Sequence, residues 1–96
     1  MEVLGSEAVD AALAEGIAWE RDDDELLKVH KERDFALALE FVNRVGQLAE
    51  QANHHPDIDI RWNTVTLRLS THSAGGITEA DLRLARQIDA IPQARD

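Results

Sequence analysis

The sequence predicts an α+β fold of two layers, in which helices pack on one face of a four-stranded antiparallel sheet. Two segments repeat apolar residues at helical spacing, and shorter segments alternate in polarity as half-buried strands do. After a short N-terminal helix, these segments follow in the order β-β-α-β-β-α. Hairpins joined by crossing helices favour a single antiparallel sheet. Its second face is then free for solvent or for a second subunit.

The ends of the predicted elements carry residues that are typical of helix caps and turns. In chain order we predict a helix over 6–14, strands over 17–20 and 26–33, a helix over 34–52, strands over 58–62 and 64–70, and a helix from 78 to about 91. Asp34 is a good N-cap for the long helix, and Thr78 with Asp81 resembles a capping box with Asp in place of Glu. Pro92 stops the last helix. The acidic run 22–25 is expected to be a solvated turn between the first two strands.

Composition restricts the possible functions. A chain of 96 residues and 10.7 kDa is expected to form one domain over 1–96, with a core small enough to favour self-association. Ten Lys and Arg against 19 Asp and Glu give a net charge of −9, which argues against nucleic acid or an anionic membrane surface as a partner. The absence of Cys excludes thiolate catalysis and disulfides. With no apolar run of membrane-spanning length and no secretory signal, we expect a cytoplasmic protein.

Three of the four histidines lie close to predicted sheet ends. His54 and His55 are adjacent in the turn after the long helix, and His72 follows the fourth strand. Imidazole is suited to proton transfer near neutral pH, but a polar turn at a helix end and a loop histidine explain the same residues. Because neighbouring side chains diverge outside a helix, His54 and His55 are expected to do different jobs. His30 is interpreted as an exposed strand residue.

Two carboxylates and one tryptophan are placed to accompany the histidines. Asp81 either caps the last helix or also orients a histidine. Glu50 precedes His54 by four residues, where a side-chain contact is expected, or it is a solvated helix carboxylate. Trp19 is either part of the core or an interface, or the wall of a pocket for a flat ligand.

A metal site is a weaker alternative for the histidines. Three imidazoles with Asp57, Asp59 or Asp81 offer ligands for zinc or iron. An adjacent pair such as His54 and His55 rarely faces one ion, however, so the sequence predicts no functional metal.

Six residues, among them the histidines and carboxylates above, follow one another at a specific spacing. They are Glu50, His54, His55, Trp62, His72 and Asp81. Together with His55-Pro56, the segment 65–72 and the glycines at 75 and 76, this spacing resembles the signature of the pterin-4a-carbinolamine dehydratase family. The similarity runs from about residue 18 to residue 91.

The resemblance implies a reaction and a set of roles. It implies dehydration of a 4a-hydroxytetrahydropterin to a quinonoid dihydropterin and water, which recycles pterin for aromatic amino-acid hydroxylases without metal or organic cofactor. His54 and His72 would be the acid/base pair and His55 would bind and orient the pterin. By the same resemblance, Glu50 and Asp81 would hold the imidazoles in the required tautomer or meet the polar edge of the ring. Trp19 would form a wall of the pocket.

The resemblance also bears on partners. Family members have a four-stranded sheet with helices on one side and associate through sheet edges, so a homo-oligomer, dimer or tetramer, is expected. This chain departs from the family at Ala18, where Gly is usual, and at the charged segment 28–33, where aromatic residues are usual. The alternative function is that of a non-catalytic binding or assembly protein of the same fold.

Overall fold

A computed structural model describes residues 2–92, in which three helices accompany a four-stranded antiparallel sheet. The elements are α1 (Ser6–Ala14), β1 (Glu20–Asp22), β2 (Glu25–Lys31), α2 (Phe35–Ala52), β3 (Asp57–Arg61), β4 (Thr64–Leu69) and α3 (Glu79–Asp89). The strands lie in the order β1-β2-β4-β3, and every neighbouring pair is antiparallel. The predicted α+β fold and the predicted order of elements are confirmed.

The core lies between the inner face of the sheet and the helices. The side chains of β4 alternate, with Val65, Leu67 and Leu69 fully buried and the residues between them half-buried. The helical residues buried in the same core are Ala38, Phe41, Val45 and Ala49 of α2 and Leu82, Leu84, Ala85 and Ile88 of α3. The apolar spacing that predicted these two helices therefore includes the residues that bury them, although Phe35 and Leu39, which belong to the predicted stripe of α2, are exposed.

Local side-chain contacts fix where the helices begin and end. The Asp34 carboxylate accepts the Leu37 N–H at 2.9 Å and caps α2. At the other end of α2, Asn53 has a left-handed backbone (φ 49°, ψ 44°) that turns the chain out of the helix. Thr78 and Asp81 form the predicted capping box at the start of α3.

The first strand begins later than predicted. We expected a strand over 17–20, whereas β1 spans Glu20–Asp22. The Ala18 N–H donates to Asp89 Oδ2 at 2.8 Å and the Trp19 Nε1–H donates to Asp89 Oδ1 at 2.9 Å. The segment before β1 is therefore fixed to the end of α3 and does not pair with β2. Its partner lies some 70 residues away in sequence, so local spacing does not predict this contact.

The second strand turns two of its three apolar side chains, Leu27 and Val29, to the open face of the sheet. Leu26 is fully buried, so alternation places Leu27 and Val29 on the opposite face, where Val29 is 63% exposed. Lys28 lies on the helix side, and its Nζ contacts Asp89 Oδ1 at 2.9 Å. β2 also ends at residue 31 and not at the predicted residue 33.

The interpretation of His30 as an exposed strand residue is wrong. Its side chain is 12% exposed, and its ring stacks on Phe41 of α2 with centroids 3.8 Å apart and planes at 15°. Its Nε2 hydrogen-bonds Glu32 Oε2 at 2.5 Å. The alternation of β2 turns His30 toward the helices, and the aromatic surface of Phe41 fills the space beside it.

Within residues 2–92 no helix is long and apolar enough to cross a membrane.

Asp89, the last residue of α3, accepts hydrogen bonds from three donors that lie in β2 and in the segment before β1, so its removal should destabilise the fold. We predict that Asp89→Ala lowers the free energy of unfolding by about 2 kcal/mol or more, because it leaves Lys28 and two N–H groups without their acceptor. Glu79→Ala, on the exposed start of the same helix, is the matched control and should cost under about 1 kcal/mol. Urea denaturation measures both, and equal losses would contradict the role of Asp89.

Candidate active site

His54 and Asp81 meet where the end of α2 faces the start of α3. His54 Nε2 lies 2.5 Å from Asp81 Oδ1, although the two residues are 27 positions apart. The His54 side chain is 16% exposed, whereas the Asp81 side chain is completely buried. The left-handed turn at Asn53 makes this contact possible, because it ends α2 immediately before His54 and sends the ring inward.

Asp81 holds this position because its second oxygen is bound elsewhere. Asp81 Oδ2 accepts the Thr78 N–H at 2.8 Å, which is the capping-box contact, and the Thr71 hydroxyl at 2.9 Å. The Thr71 and Thr78 hydroxyl oxygens are 2.8 Å apart, and Thr78 Oγ1 accepts the Ala80 N–H at 3.3 Å. Asp81 therefore both caps α3 and contacts a histidine, so the two interpretations of this residue hold together.

The carboxylate of Asp81 determines which group donates in each hydrogen bond of this network. An ionised carboxylate only accepts, so the Thr71 O–H donates to Asp81 and Thr71 Oγ1 accepts from the Thr78 O–H. By the same argument the His54 Nε2–H donates to Asp81 Oδ1. A neutral His54 is then the Nε2–H tautomer, and its Nδ1 is the nitrogen with a free lone pair.

His55 and Glu50 form a second, exposed pair. His55 Nε2 lies 2.5 Å from Glu50 Oε2, with side chains 56% and 78% exposed. The expected contact of Glu50 with His54 is therefore replaced by one with His55. Spacing of four residues pairs side chains only inside a helix, and the turn at Asn53 breaks that geometry. The prediction that the adjacent histidines diverge is confirmed.

His72 directly follows Thr71, a member of this network, in the chain. His72 is exposed, and the Thr71 backbone N–H donates to the Gly76 carbonyl at 2.8 Å and closes the loop before α3. Thr71 thus joins the Asp81–His54 pair to His72 through one peptide bond.

A cavity of about 440 Å³ beside His72 has an acidic wall. Its lining consists of Asp22, Asp23, Asp24, Glu25, Ser70, His72, Gly75 and Gly76. Two of these carboxylates also bind Arg68, whose Nη1 lies 2.9 Å from Asp22 and 3.2 Å from Glu25. The hydrogen bond with Asp22 raises the pKa of the Arg68 guanidinium. The acidic run that we expected to be a plain solvated turn therefore borders the cavity of a candidate catalytic histidine.

Trp19 is placed apart from the histidines. It is 5% exposed, its N–H binds Asp89, and Lys28 Nζ lies 5.9 Å from its ring centroid. The cavity that it lines is formed otherwise by residues 17, 18, 20 and 27–29, and no histidine is among the described residues of that lining. These contacts correspond to the core role that the sequence left open for Trp19.

The threonines are the part of the site that sequence reasoning missed. Thr78 was expected only as a helix cap, and Thr71 had no expected role. A signal was present, since Thr71 directly precedes His72 at the end of a predicted strand. Among residues 2–92, no group of three or more His, Asp or Glu side chains is arranged to hold a metal ion.

Comparison with known proteins finds relatives over nearly the whole chain. The family model described as "Pterin 4 alpha carbinolamine dehydratase" matches residues 2–91. The chain belongs to this family.

Two of the similar proteins, both named "Putative pterin-4-alpha-carbinolamine dehydratase", illustrate the likeness. The protein of Nocardia farcinica (strain IFM 10152) is 50% identical over 90 residues, which cover 94% of this chain and 95% of the relative. That of Mycobacterium sp. (strain KMS) is 55% identical over 91 residues, with coverages of 95% and 97%.

Solved structures of the dehydratase family share the fold. A protein of Brucella melitensis, described as a transcriptional coactivator/pterin dehydratase, superimposes with a TM-score of 0.87 at 31% identity. The superposition covers 93% of this chain and 97% of that one. A pterin dehydratase-like protein, described as a RuBisCO assembly factor in the alpha-carboxysome, has a TM-score of 0.61 at 23% identity, over 75% and 83% of the two chains. This second likeness concerns the fold alone.

Thr71 is expected to hold Asp81 against His54. We predict that Thr71→Val lowers the free energy of unfolding by about 1–3 kcal/mol, because it removes one of the donors to the buried Asp81 Oδ2. It should also weaken the strongly downfield proton NMR signal expected for the His54 Nε2–H. Thr71→Ser keeps the hydroxyl and is the matched control. If Val and Ser give the same NMR signal, the Thr71 hydroxyl does not hold Asp81 against His54.

Proposed function

We propose that this protein dehydrates a 4a-hydroxytetrahydropterin to a quinonoid dihydropterin and water. The observation that carries the proposal is the bond between the partly exposed His54 and the fully buried Asp81 in a chain of the dehydratase family. In the reaction the C4a–O bond breaks. The leaving hydroxyl takes a proton from a general acid, and a proton leaves a ring nitrogen to a general base. Both groups work best when they titrate near ambient pH, as imidazole does.

The geometry supports a role for His54 in proton transfer at its Nδ1 atom. Its Nε2–H is committed to Asp81, so Nδ1 is the atom available to accept or return a proton at the substrate. When Nδ1 is protonated, the imidazolium faces a buried carboxylate that compensates the new charge. Asp81 itself needs no proton, since Thr71 and Thr78 already supply donors to its other oxygen.

His72 and His55 complete the proposed site. His72, which Thr71 joins to Asp81, is the second member of the acid/base pair, and which of the two histidines acts as the acid stays open. His55 is more exposed than His54 and is held by Glu50, which suits binding and orienting the pterin. Trp19 was proposed as a pocket wall, and its buried contacts with Asp89 and Lys28 lend that role no support.

We further propose that residues 1–96 form a single dehydratase-like domain that acts in the cytoplasm as a homo-oligomer, without metal or organic cofactor. The short edge strands β1 and β3 leave outer backbone groups unpaired and offer sheet edges for a dimer or tetramer. A net charge of −9 agrees with a small-molecule substrate and not with nucleic acid or an anionic membrane.

The alternative is a binding or assembly protein of the same fold. Its support is the structural neighbour described as a RuBisCO assembly factor, and the Brucella relative whose description pairs a coactivator with a dehydratase. The presence of His54, Asp81, His55 and Glu50 in two intact hydrogen-bonded pairs favours catalysis for this chain.

Removing the proposed acid/base pair should abolish turnover. We predict that the wild type dehydrates a 4a-hydroxytetrahydropterin generated in situ and that His54→Ala/His72→Ala shows no rate above the uncatalysed background. His30→Gln, which removes the histidine outside the site, is the matched control and should retain turnover. Circular dichroism verifies that each variant folds. A folded wild type without activity would support the binding-protein alternative.

His55 should contribute to binding more than to the chemical step. We predict that His55→Ala raises KM about tenfold and lowers kcat by less than about threefold, because it removes a contact made before the transition state. His54→Ala should show the opposite division. Steady-state kinetics measures both, and a similar small effect of the two substitutions on kcat would contradict the division of roles.

A further inference from the structure

His54 opens onto a cavity that the proposed proton transfers leave unused. This cavity has a volume of about 300 Å³ and lies between the last turn of α2 and one side of α3. Besides His54, its lining consists of Gln51, Ala52, Ala80, Arg83, Leu84 and Gln87. Small-ligand pockets begin at roughly this size. The cavity can therefore take part of a small molecule, with the rest of it beside His54.

The polar lining of this cavity is rich in hydrogen-bond donors and carries positive charge. Arg83 provides a guanidinium, and Gln51 and Gln87 provide amides. In the described lining there is no carboxylate, although the chain has 19 acidic residues. The cavity beside His72 is the opposite, since it is lined by Asp22, Asp23, Asp24 and Glu25. The two candidate catalytic histidines thus border cavities of opposite charge.

Arg83 has a guanidinium that is free to bind a ligand. Of the six other arginines in residues 2–92, five contact carboxylates within ion-pair distance: Arg21, Arg33, Arg61, Arg68 and Arg86. Arg83 has no such contact with any residue in 2–92. Ala80, Arg83, Leu84 and Gln87 follow the helical spacing of three and four residues, so one side of α3 presents all of them to the cavity. A free guanidinium has the donors to bind an oxyanion in a bidentate manner.

We propose that Arg83, assisted by Gln51 and Gln87, binds an oxyanion on the side chain of the pterin, so that the preferred substrate carries a carboxylate or a phosphate there. This inference rests on the proposed dehydration. The polar edge of a pterin ring presents amino and N–H donors, which suit an acidic wall such as that beside His72. An anionic side chain suits the Arg83 cavity. The two cavities would then orient the substrate by charge.

The test uses three unreactive pterins that differ only in the substituent at C6. They are 6-carboxypterin, the phosphate ester of 6-hydroxymethylpterin, and neutral 6-hydroxymethylpterin. Isothermal titration calorimetry gives Kd for each with the full-length wild type, Arg83→Gln and Arg86→Gln. Arg86 is exposed on the same helix, binds Glu79 and does not line the cavity, so its substitution is a matched control for the loss of one positive charge.

We expect at least one anionic pterin to bind the wild type about tenfold more tightly than the neutral one. Arg83→Gln should remove that preference and change the Kd of the neutral pterin by less than about twofold, whereas Arg86→Gln should preserve the preference. Whichever anionic pterin binds more tightly than the neutral one, the carboxylate or the phosphate, identifies the oxyanion that Arg83 binds. No preference in the wild type, or a preference that survives Arg83→Gln, would overturn the inference.

The dehydration assay on the same wild-type preparation separates this inference from the proposed function. Turnover without any preference for an anionic pterin overturns the role of Arg83 and leaves the dehydratase in place. A wild type without turnover overturns the dehydratase, and the inference that rests on it falls as well.

Discussion

The carboxylate of Asp81 is fully buried, and its two oxygens accept hydrogen bonds from different parts of the chain. Oδ2 binds the Thr78 backbone and the Thr71 hydroxyl, which fixes the start of α3 against the end of β4. Oδ1 binds His54 at the end of α2. A buried carboxylate without partners would be costly, so these donors are needed for the fold as well as for the site. The same carboxylate that closes the helix end therefore determines which nitrogen of His54 keeps a free lone pair.

Other polar side chains that stabilise the fold lie apart from those of the candidate site. Asp89, which binds Lys28, Trp19 and the backbone before β1, ties the end of α3 to the sheet and lies apart from the histidines. The groups near the candidate site instead remain partly open to solvent, as His54 does beside the donor-rich cavity and His72 does beside the acidic one. Under the proposed function, the charges of the two cavities, and not the net charge of the chain, would orient a small polar substrate.

Several elements follow directly from local signals in the sequence. The periodicity of α2 and α3, the Asp34 cap and the Thr78–Asp81 capping box all act over a few residues, and the structure confirms them. Contacts at long range are what the sequence could not provide. β1 is displaced because Ala18 binds a residue of α3, and His30 is covered because Phe41 of another element lies against it. Within the site, the spacing of four residues paired Glu50 with His54, whereas Glu50 contacts His55. The family signature grouped Asp81 with the histidines and included Thr71 in the segment 65–72, but it assigned no role to Thr71.

The kinetics and stability of Asp81→Asn test the dual role of this residue most directly. Asn keeps an oxygen for the Thr78 N–H, so the helix cap should be preserved, but it then turns an NH₂ group toward His54. His54 Nε2 must become the acceptor, which moves the ring proton to Nδ1 and removes the free lone pair from the substrate side. We predict a folded protein whose kcat falls at least about 100-fold, since a wrong tautomer and a lost counter-charge each raise the barrier. A folded Asp81→Asn variant with kcat within about threefold of the wild type would contradict the account.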